Sequence, residues 1–361
     1  MNMHLTKWTA AYRQWIFEAY PAKLEQLGLF RLFFISYTIF IVGLPKYSDK
    51  MADFPSGFFN PPPFFSLFFS QLAPSWYFQL SDILIFICAF FLLIGFKTRL
   101  AGILFSLIII INNGFVFSTG KIDHSFLVWF CPLILSFSSW GASFSIDSLL
   151  TKENTTKPQN WTISFLSMCL GFGFFTSGLI KFVSSWLSLN DSMLRAFFLR
   201  NYYVQQKQAY FASFFENYNA TWFWESGDWF TIVFEMGFLL VIFWPRAFRF
   251  FTLLALFFHG AVLLMFNIGF YNYLVFYLLF WMPLFPMNKV LKLKLYFDEF
   301  FKTRINMVFG SLFSFVLILV FYLAKLDFIW LKDAFLIFAM MISLILIFLA
   351  FTKLIKKKIM K

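Results

Sequence analysis

The segment AGILFSLIIIINNGFVF (Ala101–Phe117) contains no charged residue. A helix of about 20 apolar residues crosses the hydrocarbon of a bilayer, so this run predicts a transmembrane helix. The whole chain has the same character: of its 361 residues 61% are hydrophobic and only 13% are charged, with a mean hydropathy of +0.76. A soluble domain carries about 25% charged residues, which excludes the soluble class. The predicted fold class is all-α, a polytopic helical integral membrane protein.

Nine further apolar runs extend this pattern along the chain and predict ten spans, eight in a core and two at the C-terminal end. The ten are approximately Leu29–Leu44, Gln79–Gly95, Ala101–Phe117, Ser125–Ser138, Trp161–Leu187, Phe230–Trp244, Arg249–Phe266, Phe270–Phe285, Val308–Ala324 and Phe335–Phe351. The fourth is short, which indicates a half-buried or re-entrant helix. We therefore expect an interfacial N-terminal helix (1–25), a transmembrane domain (26–287), and a basic linker with two C-terminal helices (288–361).

The distribution of lysine and arginine predicts the orientation of these spans. With the N-terminus in the cytoplasm, inner segments hold twenty of the 29 basic residues, outer segments hold eight, and Lys181 lies within a span. Such an excess on one side is typical of cytoplasmic loops. Both termini are therefore expected inside, in a bacterial cytoplasmic membrane. The net charge of +12 follows from this bias, so the expected partner is the lipid bilayer and no nucleic acid.

Several polar side chains fall inside the predicted membrane, where charged groups are costly and usually face a cavity or a partner. Lys181 stands in FGFFTSGLIKFVSSW (Phe172–Trp186), and the alternative reading is that it snorkels to the outer headgroups. Asp123 and His124 open the fourth span, where Asp123 alone is better explained as a helix cap. His259 and Glu235 lie within the seventh and sixth spans, and a lone buried histidine is more often a packed residue than a catalyst.

Under the predicted topology, five of these polar residues fall in the outer half of the membrane: Lys181, Asp123, His124, Asn113 and Asn267. Their convergence predicts a polar pocket that opens outward. The aromatic outer segment from about Ser188 to Trp229 is too long for a simple connection, and we expect it to cap that pocket. The three cysteines lie in apolar runs, so neither a disulfide framework nor a metal site is expected.

The ordered series of these motifs resembles the horizontally transferred transmembrane (HTTM) domain, the membrane part shared with vitamin K-dependent gamma-glutamyl carboxylases. The resemblance covers roughly residues 25–287. The segments that carry it are GKIDHSFLVWF with the later SIDSLL, FFTSGLIKFVSSW, FEMGFLL, WPRAFRF and FFHGAVLLMFNIGFYNY.

This resemblance implies an activity and its residues. In the carboxylases a lysine matching Lys181 deprotonates a reduced quinone, oxygen converts the quinone to an epoxide, and the strong base formed takes a proton from glutamate. It further implies His124 and His259 as catalytic residues beside Lys181, and a reduced, vitamin K-like quinone as cofactor. The pocket residues expected with them are Asp123, Asn113, Ser177, Trp186, Glu235, Asn267 and Phe270. Burial suits this role, because it disfavours the ammonium form and leaves an amine that accepts a proton.

Two departures from the carboxylase pattern keep other functions open. Ile180 stands where carboxylases tend to have a second lysine, and nothing after the eighth span resembles the soluble domain that presents protein substrates. The sequence therefore allows an intramembrane carboxylase-like or quinone-dependent lyase or oxidoreductase, acting on a quinone or on a secreted peptide. The alternatives are a non-redox membrane factor for maturation or export of a secreted peptide, and a small-molecule transporter. Inverted repeats, typical of many transporters, are not evident.

Overall fold

The computed structural model describes residues 2–120, 125–151, 157–188, 192–324 and 329–359, and every regular element among them is helical. The predicted fold class is confirmed. Seven of these helices are long and apolar enough to cross a membrane, or eight if a helix pair bent by 108° counts as one span. The chain divides into two compact units, Met1–Leu166 with Val275–Phe328, and Ser167–Leu274 with Ile329–Lys361.

The helices of the first half are α1 (Asn2–Glu18), α2 (Leu24–Tyr37), α3 (Ser48–Met51), α4 (Pro63–Ser66), α5 (Ser75–Ile94), α6 (Thr98–Phe117), α7 (Phe126–Leu135) and α8 (Ile146–Leu150). Helix α2 continues as a π-helical turn over Thr38–Val42, and Ser56–Phe58 forms a 3₁₀ turn. The apolar helix α7 has ten residues, in agreement with the short fourth span expected from the sequence.

The helices of the second half are α9 (Trp161–Val183), α10 (Met193–Leu199), α11 (Ala212–Glu216), α12 (Thr221–Val241), α13 (Pro245–Phe266), α14 (Tyr271–Trp281), α15 (Met287–Phe300), α16 (Arg304–Leu323) and α17 (Ile329–Ile359). Shorter turns are Ser185–Leu187, the π-helical Arg200–Val204 and Met282–Leu284. Helices α14 and α15 are the strongly bent pair.

Helix α12 begins at Thr221, nine residues before the predicted start of the sixth span at Phe230. Its first turns carry Glu225 and Asp228, which lower the local hydropathy. A span predicted from a continuous apolar run therefore begins too late. Asp228 is fully buried, and its carboxylate accepts hydrogen bonds from Ser192 Oγ at 2.6 Å and from the backbone N–H of Leu194 at 2.9 Å. The polar start of α12 thereby binds Ser192 and Leu194, at the start of α10.

A buried arginine organises the first unit. Arg31 on α2 is inaccessible to solvent and donates to Thr98 Oγ1 at 3.4 Å and to the carbonyl of Phe144. Asp147 accepts from the backbone N–H groups of Lys97 at 2.8 Å and Thr98 at 2.9 Å, which satisfies the free donors at the start of α6. These contacts join α2, the α5–α6 turn, α8 and the residue Phe144 that precedes α8.

Helices of the second unit approach closely where α9 presents glycine. A Cβ built on Gly171 would lie 2.5 Å from Ile242 Cγ2, and one on Gly178 would lie 2.9 Å from Glu235 Cβ. Small residues at helix contacts are the usual means of close packing inside membranes. The two glycines are seven residues apart and therefore lie on one face of α9. This face packs against α12 and against Ile242, the residue that follows α12.

The two C-terminal spans belong to different units. Helix α16 packs in the first unit, where Phe315 meets Phe86 with ring centroids 5.5 Å apart, and α17 packs along α13 in the second. The domain boundaries at 25 and 287, the cytoplasmic termini and the interfacial role of α1 stay predictions.

Gly95 provides a test of the packing around Arg31. Its φ of +71° lies in the left-handed region, and a Cβ there would come within 2.1 Å of Arg31 Nη1 and 2.3 Å of Ser145 Cβ. We expect Gly95→Ala to lower the free energy of unfolding by about 2–4 kcal/mol, since backbone strain and overpacking add. The measurement is the melting temperature of the purified protein in detergent.

Two matched variants separate these contributions. Gly43 also has a positive φ, +87°, but its Cβ position is open, whereas Gly173 has open space without a positive φ. Gly43→Ala should therefore show only the strain, and Gly173→Ala should leave the melting temperature near that of the parent. Equal melting temperatures for all three variants would contradict the proposed packing.

Candidate functional site

Lys181 and Glu235 form an ion pair in the second unit. Lys181 Nζ lies 2.8 Å from Glu235 Oε1 and 2.6 Å from Oε2, and it is also 2.9 Å from Ser177 Oγ. The side chains of Lys181 and Glu235 are 20% and 6% exposed. The structure thus brings together three residues that the sequence singled out, Lys181, Ser177 and Glu235.

Local helix geometry positions this group. Ser177 precedes Lys181 by four residues on α9, so both side chains project from the same face of the helix. Gly178, between them, lets α12 approach until a Cβ would be only 2.9 Å from Met236 Cγ and Glu235 Cβ. The close approach of the two helices brings the Glu235 carboxylate within reach of the ammonium group.

Trp186 lies beside the same amine. Lys181 Nζ is 5.5 Å from the centroid of its ring, within the range of a cation–π contact. The tryptophan belongs to the 3₁₀ turn Ser185–Leu187, directly after α9. The Trp186 ring therefore lies close to the same amine that contacts Glu235 and Ser177.

His259 belongs to an aromatic cluster on α13 and is 4% exposed. Its ring stacks on Phe270 with centroids 4.3 Å apart and interplanar angle 21°, and lies 6.1 Å from the ring of Phe174. Phe174, which precedes Lys181 by two helical turns on α9, also stacks on Phe238 at 4.3 Å. Phe174 therefore connects the His259 cluster to the helices that carry the ion pair.

Asn267 and Phe270 have structural contacts at the end of α13. Asn267 is the left-handed C-cap of that helix, with φ +51°, and its Nδ2 donates to the carbonyl of Gln208 at 2.9 Å. Asparagine is one of the few residues that adopt this conformation readily. The turn that follows Asn267 places the ring of Phe270 against the face of the His259 ring.

Asn113 belongs to the first unit, whereas the residues above belong to the second. Its Oδ1 accepts a hydrogen bond from Tyr47 Oη at 2.9 Å. Asp123 and His124 lie outside the described residues, so their predicted roles stay predictions. Among the residues that are described, no group of three His, Cys, Asp or Glu side chains has a metal-binding arrangement.

Sequence reasoning missed three residues near this site: Asp333, Tyr210 and Tyr271. The Asp333 carboxylate accepts a hydrogen bond from each tyrosine hydroxyl, at 2.6 Å from Tyr210 and 2.5 Å from Tyr271. A signal was available, because Asp333 is a carboxylate next to the predicted last span. Its partners lie far away in sequence, so the pairing itself was not predictable.

The Lys181–Glu235 contact gives a double-mutant prediction. Glu235→Leu leaves an amine without its carboxylate in a mostly buried position, and we expect it to lower the free energy of unfolding by about 3 kcal/mol. The double variant Lys181→Met with Glu235→Leu should regain part of that loss, because apolar residues replace both charges. The measurement is the melting temperature of the parent, both single variants and the double variant. If the effects of the two single substitutions on stability simply add in the double variant, the ion pair is contradicted.

Comparison with known families shows the family to which the chain belongs. The HTTM domain profile matches residues 20–289, three quarters of the chain. A comparison with curated proteins and a comparison with solved structures each give no match. The matched range contains Lys181, Glu235 and His259, and it ends before the two C-terminal helices. The chain is therefore a member of the HTTM domain family.

Proposed function

We propose that this protein is an intramembrane enzyme in which Lys181 and Glu235 form a proton-transfer pair that removes a proton from an acidic hydroxyl. The observation that carries the proposal is the amine–carboxylate contact at 2.6 Å, mostly buried, within the matched HTTM range. The HTTM domain is related to the vitamin K-dependent carboxylases, whose lysine base corresponds to Lys181 by sequence resemblance. The proposed localisation is a bacterial cytoplasmic membrane with the pair toward the outer side.

The pairing with Glu235 changes how a neutral amine would arise. In water an ammonium and a carboxylate are both well solvated, but burial penalises both charges. Transfer of the shared proton from Nζ to a carboxylate oxygen removes the two charges together and leaves a neutral amine with a free electron pair. Ser177 Oγ, 2.9 Å from Nζ, holds the amine in place through this transfer. The amine then accepts a proton from a substrate hydroxyl within hydrogen-bonding distance.

The surroundings of the pair fit a lipid-soluble quinone in its reduced form. Such a molecule would supply an acidic hydroxyl and, once deprotonated, electrons for reaction with oxygen. The amine and carboxylate offer hydrogen bonds to its hydroxyl, and the Trp186 ring offers an aromatic surface 5.5 Å from Nζ. Ile180 and Val183 flank Lys181 on α9 and are 67% and 74% exposed, an apolar surface suited to an isoprenoid tail.

A second candidate function is supported by the outer segment. Its residues Phe198, Ala212 and Trp224 pack with Phe266 into a cluster of their own. The same region exposes large aromatic rings, including Trp222 at 70% and Phe214 at 60%. A rigid scaffold that presents aromatic side chains favours peptide binding, so the alternative is a factor for maturation or export of a secreted peptide.

Substitution of Lys181 separates the two functions. We expect Lys181→Arg to keep the contact with Glu235, because a guanidinium also pairs with a carboxylate. It should nevertheless abolish base chemistry, since arginine does not release its proton in proteins. The assay is consumption of a reduced isoprenoid naphthoquinone by the purified protein in the presence of oxygen, followed by chromatography of the lipid extract. Lys181→Ala should be equally inactive.

The matched control is Lys294→Arg, which changes the lysine of another lysine–carboxylate pair, with Asp298 on α15. It should retain full turnover. Quinone consumption by Lys181→Arg at the parental rate would exclude Lys181 as the base. Retention of peptide maturation in cells by that same variant would favour the second candidate function.

A further inference from the structure

The last helix of the chain packs against the helix that carries His259. The face of α17 that meets α13 contains Asp333, Leu336, Met340 and Ser343, at the spacing of one helical face. Asp333 is 6% exposed, while Leu336 and Ser343 are fully buried. A Cβ built on Gly260, the neighbour of His259, would lie 2.5 Å from Met340 Sδ. Helix α17 therefore packs closely at the level of the imidazole.

Asp333 is the charged member of this otherwise uncharged face. Each of its two oxygens accepts one phenolic hydrogen bond, Oδ2 from Tyr210 at 2.6 Å and Oδ1 from Tyr271 at 2.5 Å. Hydrogen bonds to an ionised carboxylate are about twice as strong as those between neutral groups. The contact with Asp333 raises the pKa of Tyr210, which lies outside the spanning helices, because a negative neighbour disfavours the phenolate. The Tyr210 phenol therefore remains a donor at neutral pH.

The two tyrosines hold two separate segments at the end of α13. Tyr210 belongs to the strap, residues 205–212, which is also bound by the Phe211 N–H to Leu264 carbonyl contact at 3.0 Å. The Asn267 side chain adds a hydrogen bond to the carbonyl of Gln208 at 2.9 Å. Tyr271 starts α14 and directly follows Phe270, the ring that stacks on His259 at 4.3 Å.

We infer that Asp333 is a positioning residue: through Tyr271 it fixes Phe270 against His259, and through Tyr210 it fixes the strap at the end of α13. This makes α17 a part of the candidate site, although it lies beyond the range matched by the HTTM domain. The inference deepens the proposed function, because it assigns the C-terminal helix a role at the same site. It depends on hydrogen bonds and ring contacts. Its test therefore measures the surroundings of the His259 imidazole and not enzymatic turnover.

The experiment measures the surroundings of His259 directly. The chain has three histidines, so isotope labelling of histidine gives three sets of ring signals, and His259→Asn identifies the set of interest. We expect Tyr271→Phe and Asp333→Leu to shift the His259 ring signals, because the ring of Phe270 moves relative to the imidazole. The rate at which diethyl pyrocarbonate modifies His259 should rise several-fold in both variants, because the ring of Phe270 covers the imidazole less completely.

A matched control exists in the same unit. Tyr203 Oη donates to the Glu216 carboxylate, a tyrosine–carboxylate contact in which the tyrosine is exposed and the glutamate is half-buried. Tyr203→Phe should leave the His259 signals and the modification rate unchanged. Tyr210→Phe should loosen the strap, seen as faster proteolysis within residues 205–212, with a smaller shift at His259 than Tyr271→Phe.

Unchanged His259 signals and an unchanged modification rate in Tyr271→Phe would overturn the inference. Tyr271→Phe removes one oxygen atom only, so it keeps the test valid where Asp333→Leu does not fold. The proposed function fails on a different observation, full quinone turnover by Lys181→Arg. Each of the two conclusions can therefore be rejected without the other.

Discussion

The contact between Lys181 and Glu235 joins the helices α9 and α12 in the second unit. An ammonium group at membrane depth requires a compensating charge or a route to water. Here the carboxylate of α12 supplies the charge at 2.6 Å. The contact is possible only because Gly178 allows α9 and α12 to approach closely, and it fixes the register of the two helices. Ser177 and Trp186 then surround an amine whose position is already determined.

Aromatic packing extends this constraint to the neighbouring helices. Phe174 on α9 stacks on Phe238 of α12 and also lies near the His259 ring of α13. The imidazole also stacks on Phe270, whose neighbour Tyr271 donates a hydrogen bond to Asp333 of α17. These contacts thus connect five helices, α9, α12, α13, α14 and α17. A substitution at one of these contacts can therefore change the packing at the others.

The pairing also changes what the family resemblance implies for chemistry. A lone buried lysine would have to be neutral before substrate arrives, whereas a lysine beside a carboxylate can hold or pass on a proton as the site requires. The hydrogen-bonding carboxylate is the part of the site that the sequence resemblance did not assign as a catalytic residue. This carboxylate is the reason for proposing proton transfer, on a quinone or during peptide maturation.

Sequence alone determined the class of the protein and the approximate position of most spans, and it singled out Lys181 as a candidate. These properties are local, because hydropathy and charge act on each helix separately in the bilayer. Tertiary structure decided which carboxylate meets Lys181, since Glu235 is 54 residues away and helical periodicity defines a face but not its partner. For the same reason it placed Asn113 with Tyr47 in the first unit and joined Asp333 to Tyr210 and Tyr271. The early start of α12 was missed because Glu225 and Asp228 lower the local hydropathy. The burial of Asp228 against Ser192 and Leu194 is a property of the folded chain.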